Sequence, residues 1–241
     1  MKKCPGSLSF TQPKPEATKC PDCGSEVEIW SDEATGTCPS CSKIVIRSET
    51  QSCVDYCKYA KECLGDDKYK QYGRMKAAMR KPALIAAMEG YFGADRKRIE
   101  HARQVVAYAE SILALEKEAD PNLVIAAAAL HDIGIKNAEA KHGSSDARYQ
   151  EEEGPPVARA ILSELGYPEG FIREVCDIVG HHHHPRVEET LHFRILYDAD
   201  LLVNSDKQRM KSGAAGLSET FLSAFLTRAG REIAIKTAGS S

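Results

Sequence analysis

Eight of the nine cysteines in this chain lie within its first 63 residues, and only Cys176 lies beyond them. No other feature constrains the fold as strongly. Thiols gathered in one short stretch can staple that stretch together and leave the remainder to fold by burial. The chain therefore reads as a cysteine-rich head over residues 1–65 and a body over residues 68–241. The N-terminus, MKKCPGSLSF, has a lysine pair but no apolar segment behind it, so no secretory signal is expected. No stretch reaches the roughly 18 apolar residues of a membrane span. A soluble cytoplasmic protein is expected, and in a reducing compartment clustered cysteines point to metal. Disulfides would need a secreted chain.

Two C-x2-C pairs, Cys20/Cys23 and Cys38/Cys41, organise the head. Pro21 with Gly24, and Pro39, supply tight turns that aim successive sulfurs at one point. Zinc suits four thiolates because a tetrahedral site costs it nothing in ligand field. Between the pairs, EVEIW alternates polar and apolar residues as a short strand does. This stretch resembles a zinc ribbon, with two knuckles joined by a β-hairpin around structural zinc. Cys4, Cys53, Cys57 and Cys63 are the right number for a second centre, zinc or iron–sulfur. Spacing does not choose between these, and reduced, buried thiols are the plainer alternative. The head carries eight basic and nine acidic residues, and the whole chain a net charge of −3. That balance argues against nucleic acid and favours a stapled docking or structural module.

The body has a helical rhythm. KYKQYGRMKAAMRKPALIAAMEGYFG predicts one or two helices, with Pro82 at a start or kink. A helix capped by Asp95 follows, with Ile99, Ala102, Val106, Ala109 and Leu113 at three- and four-residue steps. Asp120 and Pro121 open another, which Gly134 is expected to stop. PPVARAILSELGY, EGFIREVCDIVGHH, EETLHFRILYDADLLVN and LSETFLSAFLTRA complete the set. The expected fold is mainly α: an all-helical bundle behind a small β-hairpin module.

Polar residues interrupt these apolar helices. His101 shares a stripe with Val105, Tyr108 and Ile112. His131 and Asp132 end a strongly apolar segment, where a bare carboxylate is costly unless paired or metal-bound. His182 continues the stripe of Phe171, Val175 and Ile178. Asp198 and Asp200 each sit on an apolar stripe, and periodicity does not choose between them. Any one of these residues alone reads as a satisfied core side chain. Together, on separate helices, they are what a metal site in a bundle core needs.

At LHDIGIK and ILYDADLL the chain resembles the HD superfamily of metal-dependent phosphohydrolases, over roughly residues 95–205. The resemblance implies an all-helical domain in which His101, His131, Asp132 and Asp200 hold a divalent ion, with Asp198 behind them. It implies water activated for attack on phosphorus. The metal is left open among Mn, Fe, Co, Ni, Zn and Mg. Members with two metals carry a further histidine in an H-P-x-x-G segment. Here Gly154 stands at that position, and Glu151, Glu152 and Glu153 precede it. Their His-His pair is matched by His181-His182, expected to face the ion or the phosphate. His183 and His184 are expected to be solvated or substrate-facing, and a wholly exposed loop is the plain alternative. Lys136 is a candidate phosphate ligand, one residue later than in related members. His142 lies in a polar loop that could cover the site. The expected substrate is a small phosphorylated molecule, such as a nucleotide. A di-iron oxygenase and a non-catalytic metabolite sensor are the alternatives.

Overall fold

The computed structural model describes residues 8–47, 53–55, 57–212 and 218–239. It divides into two compact units, Met1–Pro82 and Ala83–Ser241. The boundary falls inside a helix, α3 (Asp66–Phe92).

The first unit begins with α1 (Leu8–Thr11), then two antiparallel hairpins: β1 (Pro15–Lys19) with β2 (Glu26–Trp30), and β3 (Thr35–Thr37) with β4 (Ile44–Ile46). The alternation in EVEIW is realised, with Val27 and Ile29 buried and Glu26, Glu28 and Trp30 outward. The expected order of parts differs in one respect. The knuckles are not joined by a hairpin; each is the turn of one. Both turns are built alike. Cys20 N–H donates to Ser25 O and Gly24 N–H to Cys20 O, while Cys38 N–H donates to Lys43 O and Ser42 N–H to Cys38 O, all at 2.9 Å. Gly24 and Ser42 take the same positive φ, 74° and 58°.

Each turn delivers two sulfurs. Cys20 and Cys41 Sγ lie 3.7 Å apart, and Cys23 and Cys38 Sγ 3.5 Å. Four sulfurs on a tetrahedron about 2.3 Å from its centre lie about 3.8 Å from one another, whereas a disulfide closes to about 2.05 Å. The set fits one tetrahedral ion. Val27, Ile29 and Val45 pack with Cys20 and Cys38 in a core too small to stand by itself. A second small core joins Phe10, Val54, Ala60, Leu64, Tyr72, Met75 and Met79. Its later members come from α2 (Ala60–Leu64) and α3 (Asp66–Phe92), a continuous helix with Pro82 inside it. Cys4 and the side chain of Cys53 lie outside the described residues. Among the described ones, Cys57 is exposed, Cys63 is partly buried, and neither joins a group of metal donors.

The second unit is helical, as expected: α4 (Arg96–Leu113), α5 (Pro121–Leu130), α6 (Ile135–His142), α7 (Ala147–Glu164), α8 (Glu169–Val179), α9 (Leu191–Ser212), α10 (Glu219–Leu222) and α11 (Arg228–Gly239). Asp95 and Asp120 cap α4 and α5, accepting from Arg98 N–H and Asn122 N–H. Helix α5 is buried on every side from Leu123 to Leu130 and is the axis on which α4, α8 and α9 pack. It stops at Leu130, earlier than Gly134, and α6 restarts at Ile135. Helix α7 opens at Ala147, eight residues before Pro155, and carries Pro155 and Pro156 within it. No helix among the described residues is long and apolar enough to cross a membrane.

Asp198, wholly buried on α9, fastens the C-terminal helix. Its carboxylate accepts from Leu226 N–H at 2.8 Å, Thr227 N–H at 2.8 Å and Thr227 Oγ1 at 2.6 Å, directly ahead of α11. Burial pushes its carboxyl up to about 6 against these donors, so it is ionised at neutral pH.

Two outcomes follow. Asp198→Ala should lose about 1.5–3 kcal/mol in urea unfolding, the range for hydrogen bonds to a charged acceptor. Stripping the head with a strong chelator should red-shift the emission of Trp30, the chain's one tryptophan. Far-ultraviolet ellipticity should fall little, because the helical body does not depend on those thiols.

Candidate metal centre

The turn between α5 and α6 explains how two adjacent residues, His131 and Asp132, come to face one point. Ile133 N–H returns to Leu130 O and Ile135 N–H to Asp132 O, at 3.0 and 3.1 Å. The backbone of α7 presses on this turn. A Cβ on Gly134 would sit 2.2 Å from Gln150 O and 2.6 Å from Gly154 N, so only glycine fits. A Cβ on Gly154 would meet Val179 Cγ1 at 2.7 Å. Close helix packing therefore accounts for glycine at position 154, where the resemblance would place a histidine for a second metal.

Four donor side chains, from α4, α9 and this turn, meet in the bundle. His101 Nε2 lies 3.3 Å from His131 Nε2, 3.4 Å from Asp132 Oδ2 and 3.1 Å from Asp200 Oδ1. His131 Nε2 lies 3.4 and 3.8 Å from the same two oxygens. Ligands about 2.0–2.1 Å from a common ion stand a little over 3 Å apart, so the spacing suits one divalent ion. His131 Nδ1 sits 2.9 Å from Ala128 O, which makes it the N–H and aims the Nε2 lone pair at the cluster. Asn204, one turn beyond Asp200 on α9, donates to both its carboxylate oxygens at 3.0 Å.

The electrostatics ask for positive charge at this point. Burial opposes charge on His131, but the carboxylates of Asp132 and Asp200 overcome it and raise the imidazole to about 9. Burial opposes charge on Asp132 as well, yet His131 and His182 hold its carboxyl well below the usual range. Asp200 is likewise lowered against its burial, chiefly by His101. A divalent ion satisfies the same field. His182 gives a second sign of fit. Its Nδ1 lies 2.8 Å from Val179 O, while its buried Nε2 has no hydrogen-bond partner and lies 3.6 Å from Asp132 Oδ1. Asp132 thus turns one oxygen to His101 and His131 and the other to His182.

The four consecutive histidines do four different things. His181 is turned away from the cluster: Nδ1 meets Asp177 O, Nε2 lies 3.1 Å from Glu189 Oε1, and the ring stacks on Phe193. The pair that reaches Asp132 is His182-His183, one residue later than the sequence suggested, and these three form a group of metal donors. His183 N–H donates to Glu151 Oε1 at 2.9 Å. His184 Nδ1 lies 2.8 Å from Glu151 Oε2.

The remaining candidates lie on other partners. Lys136 Nζ donates to Tyr91 O at 2.8 Å and rests over the Tyr91 ring. His142 stacks on Tyr149 and, with Glu152 and Glu153, forms a third donor group, in which Lys141 already pairs with Glu153 at 2.6 Å. Asp200 joins the cluster; Asp198 faces α11. Sequence reasoning missed Asn204 and Gln150. The one signal for Asn204 is its i+4 position from Asp200. For Gln150 there was none, because its partners come from distant segments.

The sequence model of the HD domain family matches residues 98–205. Among solved structures, the crystal structure of a predicted HD superfamily hydrolase from an uncultured Thermotogales bacterium is similar, with 25% identity and a TM-score of 0.51. The match covers 67% of this chain and 86% of that one. No curated protein matches the chain. The matched segment spans His101, the His131-Asp132 turn, His182, His183 and Asp200.

Proposed function

We propose that the body is a metal-dependent phosphohydrolase acting on a nucleotide or another small phosphoester, and that the head holds structural zinc. The observation that supports the activity is the convergence of buried His101 and His131 with half-buried Asp132 and Asp200, whose two carboxylates call for a cation. The similarity to a predicted HD superfamily hydrolase agrees with a hydrolytic role.

His101, His131, Asp132 and Asp200 would hold the ion. Bound there, a divalent ion lowers the pKa of water and neutralises phosphoryl oxygens. The chain's own residues prepare that chemistry. The Ala128 carbonyl fixes the tautomer of His131, Asn204 fixes the plane of Asp200, and the walls of α4, α5 and α9 keep the dielectric low. A second reading, an oxygenase with two irons, draws on Asp132 reaching two donor groups. Oxygen uptake by the iron-loaded protein would favour it.

The deciding experiment is phosphate release from a panel of nucleotides and aryl phosphates in the presence of Mn2+. Asp132→Ala should lose activity by a factor on the order of 10² or more. Lys136→Ala, whose ammonium is held on Tyr91, should stay within about threefold, the effect of a group outside the transition state. Absence of phosphate release from every substrate, with the ion bound, would remove this reading.

Ion uptake should also release protons. His131 without the ion stays protonated until about pH 9 and must lose that proton to bind. At pH 7 about one proton should leave per ion, seen as a dependence of the calorimetric heat on buffer ionisation enthalpy. The release should fade as pH rises through 9.

A further inference from the structure

Gln150 is a buried amide on α7 with both ends engaged. Its Nε2 donates to Ser145 O at 2.5 Å, and its Oε1 lies 3.2 Å from His183 Nε2. A carbonyl only accepts, so the first bond settles which way round the amide sits. The end that meets His183 is therefore the oxygen, and His183 Nε2 must carry the hydrogen. A neutral imidazole has one donor nitrogen and one lone pair. The lone pair that His183 can offer is then on Nδ1.

His182 is set in the same manner through its other nitrogen, with Nδ1 on Val179 O and a buried, unpartnered Nε2. Asp132, His182 and His183 each bring a donor atom within 4.8 Å of the others'. The scaffold holding Gln150 is rigid for reasons already given: its backbone carbonyl lies against the glycine-only turn at Gly134, and the adjacent Glu151 grips the His183 N–H.

We propose that Gln150 is a positioning residue. It fixes His183 as the Nε2–H tautomer, so that Nδ1 completes a second cation-binding set with Asp132 Oδ1 and His182 Nε2. This rests on the reading above that the Asp132 cluster holds divalent ions. Through Ser145, the polar loop between α6 and α7 is tied to the same imidazole.

The test uses the full chain with its head metal retained and the body ion removed by a weak chelator. Long-range 1H–15N NMR on histidine-labelled protein reads the His183 tautomer before any ion is added. Titration with Mn2+ alone, followed by the electron paramagnetic resonance of free Mn2+, then counts the ions. The wild type should show the Nε2–H form and take up two Mn2+. Gln150→Leu, near in size but without an acceptor, should weaken the second ion by about 10–100-fold and leave the first unchanged. Gln150→Glu keeps the acceptor toward His183 while giving up the donor to Ser145 O, and should retain both the tautomer and the second ion, within about threefold. It also guards against a Leu variant that fails to fold. An Nδ1–H tautomer in the wild type, or a Leu variant that binds the second ion as tightly as the wild type, overturns the proposal. Uptake of a single ion by the wild type overturns it too, while leaving the phosphohydrolase reading intact. No uptake at all overturns both.

Discussion

Two half-buried carboxylates that face the same buried imidazoles set the terms for the second unit. Asp132 and Asp200 face the same imidazoles, and each ionised carboxylate taken from water costs several kcal/mol unless opposite charge repays it. The surroundings supply that charge only in part. Histidines carry it when protonated, and the high proton affinity of His131 is the local response to two negative neighbours. An ion at the same point answers the whole demand.

Much of the surrounding structure serves to keep that arrangement in place. The fully buried α5 brings His131 and Asp132 to its end, and the turn beyond it shows both to the same side. The turn is possible because Gly134 leaves room for the backbone of α7. Helix α7 in turn carries Gln150 and Glu151 to the histidine run. The close approach of Gly134 and Gly154 therefore links the doublet to His182 and His183, although these lie far apart in sequence.

The parts of the fold that rest on local chemistry were legible in the sequence. The caps at Asp95 and Asp120, the alternation in EVEIW and the paired cysteines each depend on neighbours a few residues away. So does the set of His101, His131 and Asp132, because apolar periodicity marks a polar residue on a buried face. What periodicity did not resolve was direction at the ends of helices. Asp198 and Asp200 both lie on buried stripes of α9, and only tertiary packing shows that one faces α11 and the other the cluster. The phase of the histidine run was likewise hidden. After α8 ends at Val179 the chain turns, and a helical stripe extrapolated through His181 or His182 no longer describes where the rings point. The early start of α7 was missed because Pro155 and Pro156 read as a beginning, whereas packing against the Gly134 turn tolerates them inside the helix.

Helix α9 has two faces with separate duties. One carries Asp200 to the metal cluster; the other carries Asp198 to the start of α11, two residues earlier on the same rigid rod. Undocking α11 would leave a buried anion without its donors, and the cheapest relief is for the rod to roll or shift until that carboxylate finds water. A roll of this kind takes Asp200 with it. An ion held at that cluster would thus depend on a segment that never touches it, and damage at the start of α11 would register as weaker ion binding before it registered as a loss of helix.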